Sequence, residues 1–373
     1  MKYIDEFRQK TLIRKLACKI RAIAPRQEIK IMEVCGTHTQ SFFRFGLRQL
    51  LPDTIKLVSG PGCPVCVSPQ GYIDQAIKLS QDRENCIITF GDMLRLPGSS
   101  SCLEREKAKG ADVRVVYSAL DSLNLARQDP RKNFIFLAVG FETTAPTIAL
   151  SILSAERSDI GNLCFLPSLK LMPPALRHLL KDKRLNLQGL LCPGHVSAII
   201  GLRPYSFIPR EFQLPCCVAG FEPLDVLEGV YFLIRQIIEG KPQVDNQYSR
   251  VVTKIGNKRA CEVIKRVFMP RDATWRGLGV IPGSGLNIKS EFFRFDAENV
   301  FRLGNVGKAL KSQEKNCHCA DVLKGLISPL GCALFARKCT PLHPVGPCMV
   351  SSEGSCSIYY KYNRHHENVT HKN

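Results

Sequence analysis

The chain has 373 residues, a formal net charge of +19 and an ordinary balance of 45% hydrophobic and 23% charged residues. That length can bury the cores of two or three domains, and no run of about 18 apolar residues offers a membrane span. The start, Met1-Lys2-Tyr3-Ile4-Asp5-Glu6, lacks the zones of a secretion signal, so a cytoplasmic protein with no membrane partner is expected.

Lys and Arg total 52 against 33 Asp and Glu, and they are scattered rather than gathered in one tract. The balance reads as a solvated basic surface that can also dock an acidic partner. Nucleic acid is not expected, because the strand ends carry acidic residues and thiols. There are 17 cysteines. In a reducing compartment, clustered cysteines are metal ligands or catalytic thiols. Dispersed ones such as Cys18, Cys86, Cys102, Cys164 and Cys261 read as small buried hydrophobes.

Residues 3–22 have apolar positions at helical spacing and form an amphipathic helix. Strands and helices then alternate. Expected strands are Ile29–Val34, Thr54–Ser59, Cys86–Phe90, Val113–Tyr117 and Phe134–Val139, with helices at Gly71–Asp82 and Leu103–Lys109. Shorter strands at Leu187–Leu191 and Pro215–Ala219 follow, and a helix over Asp225–Ile238 ends at Gly240. Such alternation implies doubly wound parallel sheets, with sites at the carboxyl ends of strands. Two α/β domains, 1–125 and 126–245, and a Cys-rich C-terminal domain, 246–373, are expected. The last of these is rich in Gly and Arg over 271–310, with a turn at Pro282-Gly283-Ser284-Gly285, and its polar tail from Asn363 is expected to be disordered. His365, His366 and His371 in that tail read as frayed polar residues rather than metal ligands.

The chemistry concentrates at two strand ends. Cys35-Gly36-Thr37-His38-Thr39 follows the first strand, and Gly60-Pro61-Gly62-Cys63-Pro64-Val65-Cys66 follows the second. The two ends are expected to face each other and group Cys35, Cys63 and Cys66. At a helix start, amide donors and the helix dipole would lower the Cys35 thiol pKa, and His38 is a candidate thiolate partner or proton carrier. The CxxC unit of Cys63 and Cys66 can close a disulfide or grip a metal.

Six cysteines lie between 317 and 356. The set Cys317, Cys332, Cys339 and Cys356, with Cys319 and Cys348 as extras, suits a four-thiolate zinc or iron–sulfur site. Asp92, Glu142, His195 and Glu222 follow strand ends and read as cap, turn or cleft residues. No nucleotide-binding motif is present.

These motifs together resemble the hydrogenase maturation family HypD. The resemblance rests on residues 35–39, 60–66, Thr89-Phe90-Gly91-Asp92-Met93, Gly140–Thr147, Pro193–Ser197, Gly220–Asp225 and Gly346–Cys356, in the right order over nearly the whole chain. It implies a scaffold for the Fe(CN)2CO moiety of [NiFe]-hydrogenases, with two α/β domains and a cluster domain. It implies a HypC-type chaperone as partner and a HypE protein, working with HypF, as cyanide donor. By the same resemblance Cys35 is an iron ligand shared with the chaperone, and Cys63 and Cys66 are a redox-active pair. Cys317, Cys332, Cys339 and Cys356 hold a [4Fe-4S] cluster. A cluster beside a CxxC is similar to ferredoxin:thioredoxin reductase, so an iron–sulfur-dependent protein disulfide reductase is the competing function.

Overall fold

The computed structural model describes residue 2, residues 4–304 and residues 316–370, the last eight as backbone only. Its strands are β1 (Ile29–Glu33), β2 (Ile55–Ser59), β3 (Asn85–Thr89), β4 (Asp112–Val115), β5 (Asn133–Gly140), β6 (Leu163–Leu169), β7 (Gly189–Pro193), β8 (Cys216–Ala219), β9 (Val244–Asn246), β10 (Phe268–Trp275) and β11 (Gly279–Ile288). The first nine form two parallel sheets, as the alternating pattern implies. One has the order β2-β1-β7-β8-β9 and the other β4-β3-β5-β6.

The second sheet is an insertion between β2 and β7 of the first. The expected boundary at 125/126 therefore falls inside a sheet: β3 bonds to β4 on one side and to β5 on the other. Strands β7 to β9, expected in the second domain, extend the first sheet through β1. Periodicity marks a strand but not its partner. β1 is buried at Ile29, Ile31, Met32 and Glu33 and needs a neighbour on each side. In each sheet the chain direction of winding reverses beside the first strand, between β1 and β7 and between β3 and β5. Sites of doubly wound proteins open at the carboxyl ends of such pairs.

A central core draws Met32, Val34 and Leu190 from the first sheet and Ile87, Ile135 and Leu137 from the second. Separate cores cover the outer faces. The helix Pro223–Glu239 covers the first sheet together with the helix Lys10–Ile23.

The region after residue 246 is not one unit. β10 and β11 form an antiparallel hairpin turning at Arg276–Leu278, not at Pro282–Gly285. Gly277 and Gly279 have φ of 81° and 84°, which suits the turn to glycine. The hairpin attaches to the second α/β unit through Lys170 and Gly285. The Cys-rich segment has little regular structure, and its Cys348 and Cys356 join the central core. The last helix, Ser355–Thr370, has neither Gly nor Pro to stop it, so its backbone stays helical across the tail expected to be disordered. The expectation for His371 lies outside the described residues. Among them, no helix is long and apolar enough to cross a membrane.

Candidate functional site

β1 ends at Glu33, and Cys35 becomes the N-cap of the helix Gly36–Arg44 with extended backbone (φ −137°, ψ 129°). Gly62, in the loop after β2, lies so close that a Cβ there would collide with the Cα and N of Cys35. The two strand ends therefore meet. A Cβ at Gly36 would collide with the backbone of Glu353, and Thr37 Oγ1 donates to Glu353 Oε1 at 3.0 Å. Ser351 Oγ, which accepts from the Glu353 amide, donates to Asp92 Oδ2 at 2.7 Å. The C-terminal segment thus closes over Cys35 and ties it to the end of β3.

That closure reverses the expected Cys35 acidity. Burial, and then the Glu353 carboxylate, push the thiol up to about 11, beyond what hydrogen bonds from Thr37 and His38 offset. Desolvation disfavours the thiolate, and a helix of nine residues does not overcome it.

Cys63 and Cys66 are joined as a disulfide, with Cα atoms 5.3 Å apart. Both are buried. The Cys66 amide donates to Cys63 Sγ at 3.2 Å, and Cys66 Sγ lies 3.9 Å from Pro347 O, the residue before Cys348.

Beyond Pro347 the thiols gather. Cys317 pairs with Cys319, and Cys319 and Cys348 both hydrogen-bond Cys356. These bonds hold Cys356 below the ordinary thiol range. The same contacts, with burial, push Cys317 and Cys348 up. Cys339 accepts from the Val345 amide at 3.4 Å and is in electrostatic reach of Cys317 and Cys319. A Cβ at Gly346 would stand on the thiols of Cys317 and Cys319. Cys332 is half-buried in a turn, its amide on Pro329 O and its carbonyl on the Phe335 amide. The contacts of the group run through Cys319 and Cys348, which sequence spacing ranks only as extras. Thiols fit a soft iron or zinc site. Among the described residues no three His, Cys, Asp or Glu side chains stand as a ready cage for a metal ion; a cavity of about 20 Å³ lies beside Cys317 and Cys319.

His38 is engaged elsewhere. Its Nε2 lies 3.1 Å from both Ala219 O and Gly220 O at the end of β8, and its ring stacks on Phe221. Burial lowers its pKa to about 4, so it is neutral, and Nε2–H is the donor. This geometry makes it a strand-end tie rather than a partner of the Cys35 thiol. Glu222 and Asp225 form a capping box at the helix Pro223–Glu239, as the cap reading expects. Glu142, at the end of β5, accepts from the Met172 amide at 2.9 Å; its Oε2 is buried without a partner, and burial pushes it up to about 7. Glu353 and Ser351 escape sequence reasoning because nothing local in Val350-Ser351-Ser352-Glu353 says that it folds back onto residue 36.

The fold and site define a class: a two-sheet α/β protein with a capped cysteine, a buried disulfide and a thiol group in one continuous patch. Residues 11–363 match the HypD family, described as "Hydrogenase formation hypA family". The chain is 43% identical to "Hydrogenase maturation factor HypD" of Cupriavidus necator over 98% of both chains. It is 43% identical to "Hydrogenase expression/formation protein HupD" of Azotobacter chroococcum over 98% of this chain and 97% of that one. It is 42% identical to "Hydrogenase maturation factor HypD" of Escherichia coli K12 over 97% and 98%. The chain belongs to the HypD family.

Proposed function

We propose that this protein is a scaffold for hydrogenase maturation, on which Cys35 holds the iron of the Fe(CN)2CO cargo together with a cysteine of a HypC-type chaperone. Cyanide arrives from a HypE-type partner supplied by HypF. The observation that carries the proposal is the continuity of the sulfur sites: Gly62 against Cys35, Cys66 against Pro347, and Cys348 within the thiol group.

Cys35 is a thiol until a cation replaces its proton, and coordination supplies the charge that its buried surroundings withhold. Glu353, in contact with Thr37, and Asp92, in contact with Ser351, fix the segment above it. The Cys63–Cys66 pair takes up two electrons and two protons as its S–S bond opens to two thiols. The donor set beyond Pro347 fits a [4Fe-4S] cluster, with Cys317, Cys339 and Cys356 as ligands and Cys332 as the fourth by its spacing; Cys319 and Cys348 are the alternatives by contact. When bound, such a cluster supplies electrons one at a time. Burial of both disulfide cysteines counts against the competing disulfide reductase, whose protein substrate must reach a sulfur.

The test is Cys63→Ala and Cys66→Ala. Each is expected to keep the visible absorption of the cluster and to abolish hydrogenase maturation; maturation at the normal level would contradict the redox role.

A further inference from the structure

A cavity of about 810 Å³ opens between the segment Arg95–Arg105 and the loop Lys338–Val345. Its charged lining is Arg95, Arg105, Arg276 and Lys338 against Glu104 alone. Arg95 is already spent: it reaches Glu104 at 3.6 Å and the carbonyls of Pro341 and Leu342. Arg105 and Lys338 are exposed and have no ion-pair partner among the described residues. Arg276 is held on the inner wall, its amide on Val67 O at 2.8 Å and its guanidinium on Pro97 O at 3.5 Å. Its guanidinium is buried within electrostatic reach of Cys317, Cys319 and Cys348. Arg276 and Val345 line both this cavity and the small one beside Cys317 and Cys319. Leu342, 78% exposed, stands at the rim.

We infer that this basic cavity is the docking site of an acidic one-electron carrier protein. The inference rests on the reading that the thiol group holds a one-electron centre. The excess of positive charge steers and orients a partner with surface carboxylates. Leu342 adds the apolar contact of a small, transient interface. The wall behind the cavity is the outer side of the thiol group, so a carrier seated there stands next to the centre it would reduce. The balance is two reduced carriers and two protons consumed, the Cys63–Cys66 bond opened to two thiols, and two oxidised carriers released.

The test uses the full-length, cluster-loaded protein and an acidic plant-type ferredoxin as probe. Binding is measured against salt for the wild type, for the double variant Arg105→Glu with Lys338→Glu, and for Arg131→Glu, exposed at the far end of β5. The double variant should bind about tenfold more weakly, with a shallower salt dependence. Arg131→Glu should match the wild type. Thiol release driven by reduced ferredoxin should fall in the same order, while thiol release by dithionite, which needs no docking, should be equal in all three. Equal binding by the double variant and the wild type, or no binding by the wild type at low salt, would overturn the inference. Weakened binding in the double variant, with dithionite opening the disulfide in none of the three, would support the docking site and strike the reading of the thiol group instead.

Discussion

At the scale of single residues, charge and burial decide what each group can do. Cys35 sits near 11 because its thiol is buried beneath the Glu353 carboxylate. Replacing that carboxylate by an amide, Glu353→Gln, removes the repulsion and lowers the thiol pKa. Labelling of Cys35 by iodoacetamide at pH 8 should then run about threefold faster, read by mass spectrometry of its peptide; an unchanged rate would assign the shift to burial alone. Glu142 tests burial without a charged neighbour. Its folded pKa, about 7, lies above the ordinary carboxyl value of 4.5, so the folded state binds the extra proton and stability falls as pH rises from about 4.5 to 7. Glu142→Gln keeps the acceptor for Met172 and loses the charge. It should be neutral at pH 5 and stabilising by about 3 kcal/mol at pH 8, measured by denaturant unfolding. His38, at about 4, has the opposite sign, stability being lost as pH falls from about 6.5 to 4.

At the scale of elements, the last helix holds the first site closed. Tyr359 packs on Phe43 with ring centroids 4.6 Å apart, and its hydroxyl accepts from Arg48 at 2.9 Å. Arg48 also reaches Glu33 at 3.3 Å, at the end of β1. The Glu33 carboxylate is fully buried, and burial raises its pKa despite Arg48. Arg48→Ala should therefore cost about 2–4 kcal/mol by leaving that charge unpaired, seen as a lower denaturation midpoint. The elements were legible in unequal measure. β1, β2, β3 and β5 are apolar runs bounded by turn residues, and the sequence reading finds them within a residue or two. β6 escapes because Pro167 interrupts Leu163–Leu169, and in the β10–β11 hairpin a Pro-Gly-Ser-Gly run lies inside a strand while the turn forms at Arg276–Leu278.

At the scale of the whole molecule, strand partners and long-range closure were hidden. No local feature says that Gly189–Pro193 joins Ile29–Glu33, or that residues 70–180 are an insertion, because pairing is fixed by which edge remains open after folding. The grouping of thiols was legible as Cys35, the CxxC pair and the C-terminal cysteines; the place of Cys319 and Cys348 in the contacts was not, since spacing ranks separations and not approaches. The closed arrangement brings three sulfur sites together from residues 35, 63–66 and 317–356, and the proposed scaffold function rests on that convergence. The most direct test of that proposal is the infrared spectrum of the protein isolated after co-expression with a HypC-type chaperone. Bands of iron-bound CN and CO are expected in the wild type and absent in Cys35→Ala, whose cluster absorption persists. Retention of those bands in Cys35→Ala would contradict the placement of the iron.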